Sequence, residues 1–197
     1  MSARRTKNLP VLPDRPAAVD SHTAAVFASG SGLRIGVVTL GCDKNTVDSE
    51  RVLARLAAAG ANVQTGAEGA DIIVVNTCGF IDAAKEDSVD TILDAVRLKQ
   101  TGSAQAVVAM GCMVQRYKPQ LTAELPEVDL FLGLTDIDKL IPELRSRGWL
   151  APNAPNMQQP LRRLTTSTPH TSFLKVSEGC DHTCAFCAIP QIGRAHV

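Results

Sequence analysis

Short apolar runs alternate with longer stretches of helical periodicity from residue 34 to residue 149. The first helical stretch carries Val52, Leu53 and Leu56 on one face and ends at Gly60, the pattern of an amphipathic helix with a glycine stop. The apolar runs are rich in β-branched residues, as strands buried in a parallel sheet are. The alternation predicts an α/β domain with an open, mainly parallel sheet flanked by helices. The predicted strands are LRIGVVTL, DIIVVN, AQAVVAMG, VDLFLGL and the shorter Asn62–Thr65, and the predicted helices are NTVDSERVLARLAAAG, IDAAKEDSVDTILDAVRLKQTG and TDIDKLIPELRSRG.

The regions on either side of this domain lack the alternation. Residues 1–33 hold three prolines and no apolar periodicity, and we expect a disordered tail there. Residues 150–169 hold four prolines and no helical stripe, which indicates an interdomain linker. The stretch TSFLKVSEG predicts one more strand, and it leads into the cysteine-rich GCDHTCAFCAIP. We therefore expect the start of a second domain at residues 170–191.

Composition narrows the classes of function. The 197 residues carry 20 basic and 20 acidic side chains, so net charge gives no case for nucleic-acid or membrane-surface binding. The N-terminus has basic residues but no apolar core of a secretory signal. We expect a cytoplasmic protein, where thiols stay reduced. Six cysteines in that compartment favour metal binding or catalysis over disulfides, although buried cysteines can also serve as small apolar residues.

Three cysteines that are far apart in sequence occupy equivalent positions. Cys42, Cys78 and Cys112 each follow a predicted strand, and a glycine adjoins each of them. The carboxyl ends of parallel strands form one edge of a sheet, so we expect these thiols to converge. Three thiolates suit an iron–sulfur cluster with one open iron better than structural zinc, which prefers four closed ligands.

The other three cysteines are clustered. Cys180, Cys184 and Cys187 have C-x3-C-x2-C spacing, which again supplies three thiols for an iron–sulfur cluster and leaves structural zinc as the alternative. His182 lies between two of them, and we expect its side chain to point into solvent.

These motifs together resemble a known family. CDHTCAFC resembles the radical S-adenosylmethionine signature, and TLGCDKNTVDSE, VVNTCGFIDAAKEDSVDTIL and VAMGCMVQRY are similar to motifs of the methylthiotransferases. The resemblance covers about residues 34–190 and implies a methylthiotransferase N-terminal domain followed by the first strand and cysteine loop of a truncated radical barrel. It implies two 4Fe-4S clusters: an auxiliary cluster on the three strand-end cysteines, and a radical cluster on the clustered three that binds S-adenosylmethionine. Phe186 would lie against the adenine.

The details resemble the branch of the family that modifies ribosomal protein S-twelve, since GCDKN and NTCGFIDAAKEDS follow that branch's forms. The resemblance implies insertion of a methylthio group at the β-carbon of an aspartate on that protein. Implied partners are the small ribosomal subunit and an electron donor such as flavodoxin or ferredoxin, with the enzyme acting as a monomer. A tRNA adenosine methylthiotransferase, an iron–sulfur electron-transfer module and a zinc-binding interaction domain are the alternatives.

Several polar residues near the cysteines have two readings. Asn45, Asp48 and Glu50 either orient the auxiliary site or belong to the cap and solvated first turn of a helix. Asn76 and Thr77 either donate hydrogen bonds to cluster sulfurs or make ordinary turn bonds. Thr135 or Asp136 is the expected cap of the last predicted helix, and the roles of Arg116 and Tyr117 stay open.

The C-terminal residues IGRAHV depart from the family pattern. They equal a translation of DNA that resembles a sequencing adapter, so we expect residues 192–197 to be non-native. We also expect a chain with so little of the second domain to fold in its first domain without catalysing the reaction.

Overall fold

A six-stranded sheet forms the centre of the protein. The computed structural model describes residues 26–28, 33–151, 163–167, 170–177, 179–180, 182 and 184–192. In these residues the strands lie in the order β1-β3-β2-β4-β5-β6, all parallel except β1, which is antiparallel to β3. The strands are β1 (Val26–Ala28), β2 (Arg34–Thr39), β3 (Asn62–Thr65), β4 (Ile72–Thr77), β5 (Ala106–Gly111) and β6 (Leu130–Leu132).

Four α-helices cover the two faces of the sheet. They are α1 (Asp43–Ala58), α2 (Asp82–Gln100), α3 (Cys112–Glu124) and α4 (Leu140–Ser146), and two 3-10 turns lie at Leu134–Lys139 and Pro190–Ile192. Helices α1 and α4 pack on one face and α2 and α3 on the other. Every residue of β4 and β5 is buried, which explains why these strands are continuous apolar runs in the sequence. The fold confirms the predicted α/β class.

Helix α1 ends as its sequence predicts. Gly60 has a φ of +84°, and the amides of Gly60 and Ala61 donate to the carbonyls of Ala57 and Leu56. These two bonds satisfy carbonyls at the helix end, and only glycine adopts the required conformation without strain.

Some local predictions are wrong at the ends of elements. Helix α1 begins at Asp43 with Cys42 as its N-cap, so Asp48 and Glu50 lie beyond its first turn. The last predicted helix begins as the 3-10 turn, whose N-cap is Gly133 with no side-chain cap, instead of Thr135 or Asp136.

Two elements were not expected from the sequence. The strand β1 lies inside the expected disordered tail, where it pairs with β3 and supplies hydrogen-bond partners to an otherwise open edge. Helix α3 begins at Cys112, with a non-helical residue at Tyr117 and with Pro119 inside it. A proline disfavours helical conformation in the residue before it, which hides such a helix from sequence patterns.

One predicted strand does not form. Residues 171–177 have no strand hydrogen bonds, and a strand requires a partner for its backbone groups. The stretch instead crosses the N-terminal half of α1. Among the described residues, no helix is both long and apolar enough to cross a membrane.

Candidate metal centre at the strand ends

The three separated cysteines lie at the carboxyl ends of three neighbouring strands. Thr39 at the end of β2 pairs with Asn76, and Thr77 at the end of β4 pairs with Gly111 at the end of β5. Cys42 follows β2 as the N-cap of α1, Cys78 follows β4 directly, and Cys112 begins α3. The chain order reverses between β2 and β4, which makes this edge the usual ligand-binding edge of an open parallel sheet.

Glycines bring the three cysteine segments into direct contact. A Cβ at Gly41, where φ is +90°, would lie 2.7 Å from Cys78 Cβ and 2.8 Å from Cys78 Sγ. A Cβ at Gly79 would lie 2.8 Å from Met113 Cα and 3.1 Å from the carbonyl carbon of Cys112. Because real Cβ atoms do not approach this closely, side chains at these two positions would force the segments apart.

Asn45 joins the three segments through its side chain. Its Nδ2 donates to the carbonyls of Leu40, at 2.9 Å, and Thr77, at 3.0 Å, and its Oδ1 accepts from the Cys112 thiol at 3.5 Å. The residue is fully buried. Asn45 therefore ties the end of β2, the end of β4 and the start of α3 together, which supports the orienting reading over a cap.

Further buried side chains fix the strand ends. Asn76 Nδ2 donates to the Asn45 carbonyl and to Ser49 Oγ, and Thr77 Oγ1 donates to the Met110 carbonyl at 2.6 Å. All of these bonds join protein groups, so Asn76 and Thr77 serve to fix the strand ends in place.

The backbone of Cys78 is held on both sides by one hydroxyl. Its amide donates to Ser88 Oγ at 2.9 Å, and Ser88 Oγ lies 3.1 Å from its carbonyl. Ser88 is fully buried on α2. The position of Cys78 is thus set by α2 as well as by the sheet.

The electrostatic surroundings favour anionic groups near the thiols. The N-terminal ends of α1 and α3 lie at Cys42 and Cys112, and helix N-termini stabilise negative charge. In the first turn of α2, the hydrogen bond that Lys85 donates to Asp82 raises the pKa of Lys85 and lowers the pKa of Asp82. The Lys85 amine lies 5.6 Å from the Tyr117 ring centroid and the Arg116 guanidinium 4.8 Å from it. These contacts place both basic groups beside Tyr117, which the sequence had left unassigned.

The thiols themselves are not gathered as ligands. None of the six cysteines forms a disulfide; Cys42 is exposed, and Cys78 and Cys112 are buried. In the described part of the chain, no three His, Cys, Asp or Glu side chains are arranged to hold a metal ion, and the Cys112 thiol is engaged by Asn45. The three thiols on contacting segments, two of them at helix N-termini, nevertheless have the chemistry that fits a thiolate-ligated cluster. The ligand role of these cysteines stays a prediction.

The second group of cysteines is more exposed. Cys180 and Cys187 are half-buried and Cys184 is exposed, and the Cys187 amide donates to the Cys184 carbonyl at 3.0 Å. His182 is exposed, as predicted. Phe186 is 92% exposed, so its predicted place against adenine stays a prediction.

The loop ends in a turn that packs on the first domain. The 3-10 turn Pro190–Ile192 contacts α3, and Ile192 is 2% exposed. Residues 193–197 lie outside the described residues, and the non-native origin of 192–197 stays a prediction.

One of the two readings of Asp48 and Glu50, as a helix cap or a solvated first turn, is wrong. Asp48 and Glu50 are 3% and 0% exposed, and they bind Lys175 and Arg163. Neither caps the helix or lies in solvent. No local sequence signal reveals them, because their partners are more than 100 positions away.

Comparison with known proteins agrees with this placement of motifs. Residues 34–133 match the model of the uncharacterized protein family UPF0004. The ribosomal protein uS12 methylthiotransferase RimO of Sulfurihydrogenibium sp. (strain YO3AOP1) is 44% identical over 164 residues, which are 83% of this chain and 36% of that protein. The protein of the same name from Anaeromyxobacter sp. (strain Fw109-5) is 44% identical over 163 residues, 81% of this chain and 35% of that protein. The one from Akkermansia muciniphila is 41% identical over 179 residues, 83% and 39% of the two chains.

The chain spans little more than a third of the length of these curated relatives. The family match, by contrast, covers more than half of the chain, from the start of β2 to the end of β6. All three strand-end cysteines and their glycines lie within it. The chain belongs to the UPF0004 family.

Proposed function

We propose that this chain is the N-terminal part of a radical S-adenosylmethionine methylthiotransferase that modifies an aspartate of ribosomal protein uS12. The relatives that carry this name match the chain over 81–83% of its length at 41–44% identity. The match supports the uS12 branch over the tRNA branch. The reaction inserts a methylthio group at the β-carbon of the aspartate.

The observation that carries the proposal is the contact among the three cysteine segments at one sheet edge. Cys42, Cys78 and Cys112 would hold the auxiliary 4Fe-4S cluster, and Cys180, Cys184 and Cys187 the radical cluster. When bound, the clusters supply reductive cleavage of S-adenosylmethionine and the sulfur to be transferred. The chain's own contribution is to hold the strand-end segments at fixed separations, through the contacts of Asn45 and Ser88.

The same proposal includes the partners and the compartment. The substrate is uS12 in the small ribosomal subunit, the electrons come from a donor such as flavodoxin or ferredoxin, and the enzyme acts as a cytoplasmic monomer. The described residues present no membrane-spanning helix, which is compatible with this setting.

The test replaces Cys78 by alanine in a protein of the relatives' full length that carries these residues. We expect S-adenosylmethionine cleavage to persist while methylthio transfer to uS12 is lost, because radical formation depends only on Cys180, Cys184 and Cys187. The matched control replaces Cys184, and there both activities should disappear. Loss of both activities in a folded Cys78→Ala protein, or methylthio transfer by it, would contradict the separate roles.

A further inference from the structure

Helix α1 carries two buried carboxylates that face a distant part of the chain. Asp48 and Glu50 are 3% and 0% exposed. Burying a carboxylate is costly unless a cation and hydrogen bonds compensate it. The residues that pair with these two carboxylates therefore show which part of the chain binds to this side of α1.

Glu50 holds the segment at residues 163–167. Its Oε2 lies 2.8 Å from Arg163 Nε, and its Oε1 accepts from the Thr166 amide at 2.7 Å and from the Thr166 and Ser167 hydroxyls at 3.2 and 3.4 Å. The Leu164 amide donates to the Glu50 carbonyl at 3.3 Å. One side chain thus gathers several donors from a segment 113–117 positions away.

Asp48 holds the segment further along. Its Oδ1 lies 2.6 Å from Lys175 Nζ, and the two side chains are 3% and 4% exposed. The Arg163 guanidinium also donates to the Phe173 carbonyl at 2.6 Å and to Ser172 Oγ. The two acids and Arg163 therefore join residues 163–167 and residues 172–175 to helix α1.

Apolar burial differs between the two parts of this attachment. Leu164 packs against the core beside α1, whereas Leu174 and Val176 are 83% and 86% exposed, and a cavity of about 160 Å³ lies between residues 173–177 and the first turns of α1. Residues 174–176 therefore depend mainly on the Lys175 contact for their place on the helix.

The attachment has a consequence for the cysteines. Cys42 is the N-cap of helix α1, and Asp48 and Glu50 follow it within eight residues on that helix. The bound segment ends at Ser177, three residues before Cys180. The turn Pro190–Ile192, on the other side of the cysteine loop, contacts α3, which begins at Cys112. The second cysteine loop is therefore held on both sides by helices that begin at cysteines of the first group.

We infer that Asp48 and Glu50 are positioning residues that fasten residues 163–177 to α1 and thereby set the separation of the two cysteine sites. The fastening stands on the contacts alone, whereas its role in catalysis rests on the proposed function. A deletion of either charge should release the segment without unfolding the sheet.

Hydrogen exchange of this 197-residue chain tests the fastening without any activity. The variants are Glu50→Gln and Asp48→Asn, and the matched control is Glu86→Gln, which removes an exposed acid from α2. In Glu50→Gln we expect the protection of the Thr166 amide to fall at least about tenfold, because its charged acceptor and the Arg163 pair are lost. In Asp48→Asn the Lys175 side chain, which is 4% exposed in the wild type, should become accessible, and trypsin should cleave after Lys175 at least about tenfold faster. Amides of β4 and β5 should change much less, and the control should resemble the wild type.

Unchanged protection of the Thr166 amide in Glu50→Gln, together with unchanged cleavage after Lys175 in Asp48→Asn, would overturn the inference. So would losses that merely follow those of β4 and β5, since that result would indicate general destabilisation. In a protein of the relatives' length, each variant should form more 5′-deoxyadenosine per methylthiolated product than the wild type does. A wild type that makes no methylthiolated product would contradict the proposed function and leave the exchange result to decide the fastening.

Discussion

The two groups of cysteines are built in opposite ways. Cys42, Cys78 and Cys112 come from three strand ends and meet through backbone contacts at Gly41 and Gly79. Cys180, Cys184 and Cys187 lie within eight residues of one loop, where a hydrogen bond joins Cys187 to Cys184. The first group needs the folded sheet to exist, whereas the second is brought together by local sequence.

The two groups should therefore be sensitive to different substitutions. In the first group, substitutions in the buried frame should disturb the site through the fold. In the second group, the spacing of the cysteines is set by the local sequence, and tertiary structure adds only the position of the loop relative to the sheet.

Amide exchange should separate the two regions most strongly. Amides of Val74 and Val108 lie in fully buried strands, and we expect them to exchange only by global unfolding, slowed at least about a thousandfold. Amides of residues 184–187 should exchange with little protection in the cluster-free chain. Mass spectrometry or NMR measures this exchange. Comparable protection of the two regions would contradict the difference in stability between the sheet and the cysteine loop.

Gly111→Ala should be the most damaging single substitution in the first region. Gly111 has a φ of +105°, and an added Cβ would lie 2.4 Å from Asn76 Oδ1 and 2.6 Å from the Thr77 carbonyl oxygen. We expect a loss of about 3 kcal/mol or more in the free energy of unfolding, measured with urea.

The matched control for this substitution is Gly102→Ala. Gly102 also has a positive φ, +78°, but an added Cβ there would meet nothing within 4 Å. Gly102→Ala should lower the free energy of unfolding by about 1 kcal/mol, because only its backbone conformation disfavours alanine. Equal losses for the two variants would show that the close packing at the strand ends is unimportant.

Asn45→Ala should destabilise the same frame by a smaller amount. The change leaves the carbonyls of Leu40 and Thr77 without the donor that now serves both. We expect a loss of about 2 kcal/mol in the free energy of unfolding. Gln105→Ala, at an exposed position, is the control and should change stability by less than about 0.5 kcal/mol. An unchanged free energy of unfolding in Asn45→Ala would show that Asn45 does not stabilise the strand ends.

Asp71→Asn should have the smallest effect and a defined pH dependence. Asp71 accepts from the Arg34 amide at 2.7 Å and pairs with its side chain, and the backbone bond from Arg34 lowers the pKa of Asp71 below 3.8. A lowered pKa in the folded state adds stability that is present above the unfolded value and is lost as pH falls through the folded one.

Because the Asp71 pair is largely exposed, we expect Asp71→Asn to lower the free energy of unfolding by at most about 1 kcal/mol. The difference in unfolding free energy between wild type and Asp71→Asn should be constant from about pH 5 to 7 and should shrink below about pH 3.8. A difference that grows on acidification would contradict this assignment.

The sequence predicted the sheet well because its central strands are buried on both faces. Burial of this kind produces continuous apolar runs, and β4 and β5 are such runs. The meeting of the cysteine segments followed from the rule that parallel strands end at one edge. The orientation of the thiols did not follow, since the side-chain contact of Cys112 with Asn45 depends on packing in the folded state.

The features that the sequence missed depend on distant partners. Strand β1 has three residues and exists by pairing with the edge strand β3. The burial of Asp48 and Glu50 depends on Arg163 and Lys175, which no local pattern connects to α1. The predicted strand in residues 171–177 is absent for the same reason, because these residues bond to side chains of α1 and to no neighbouring strand.

The central claim is that the strand-end cysteines form a cluster site that is independent of the clustered cysteines. Analysis of iron and acid-labile sulfide after anaerobic reconstitution tests this claim. The variant with alanine at Cys180, Cys184 and Cys187 should retain about four irons and four sulfides per chain. The variant with alanine at Cys42, Cys78 and Cys112 should lose about four irons and four sulfides per chain relative to the wild type. Zinc without sulfide in the first variant, or no metal in it despite a folded domain, would contradict the account.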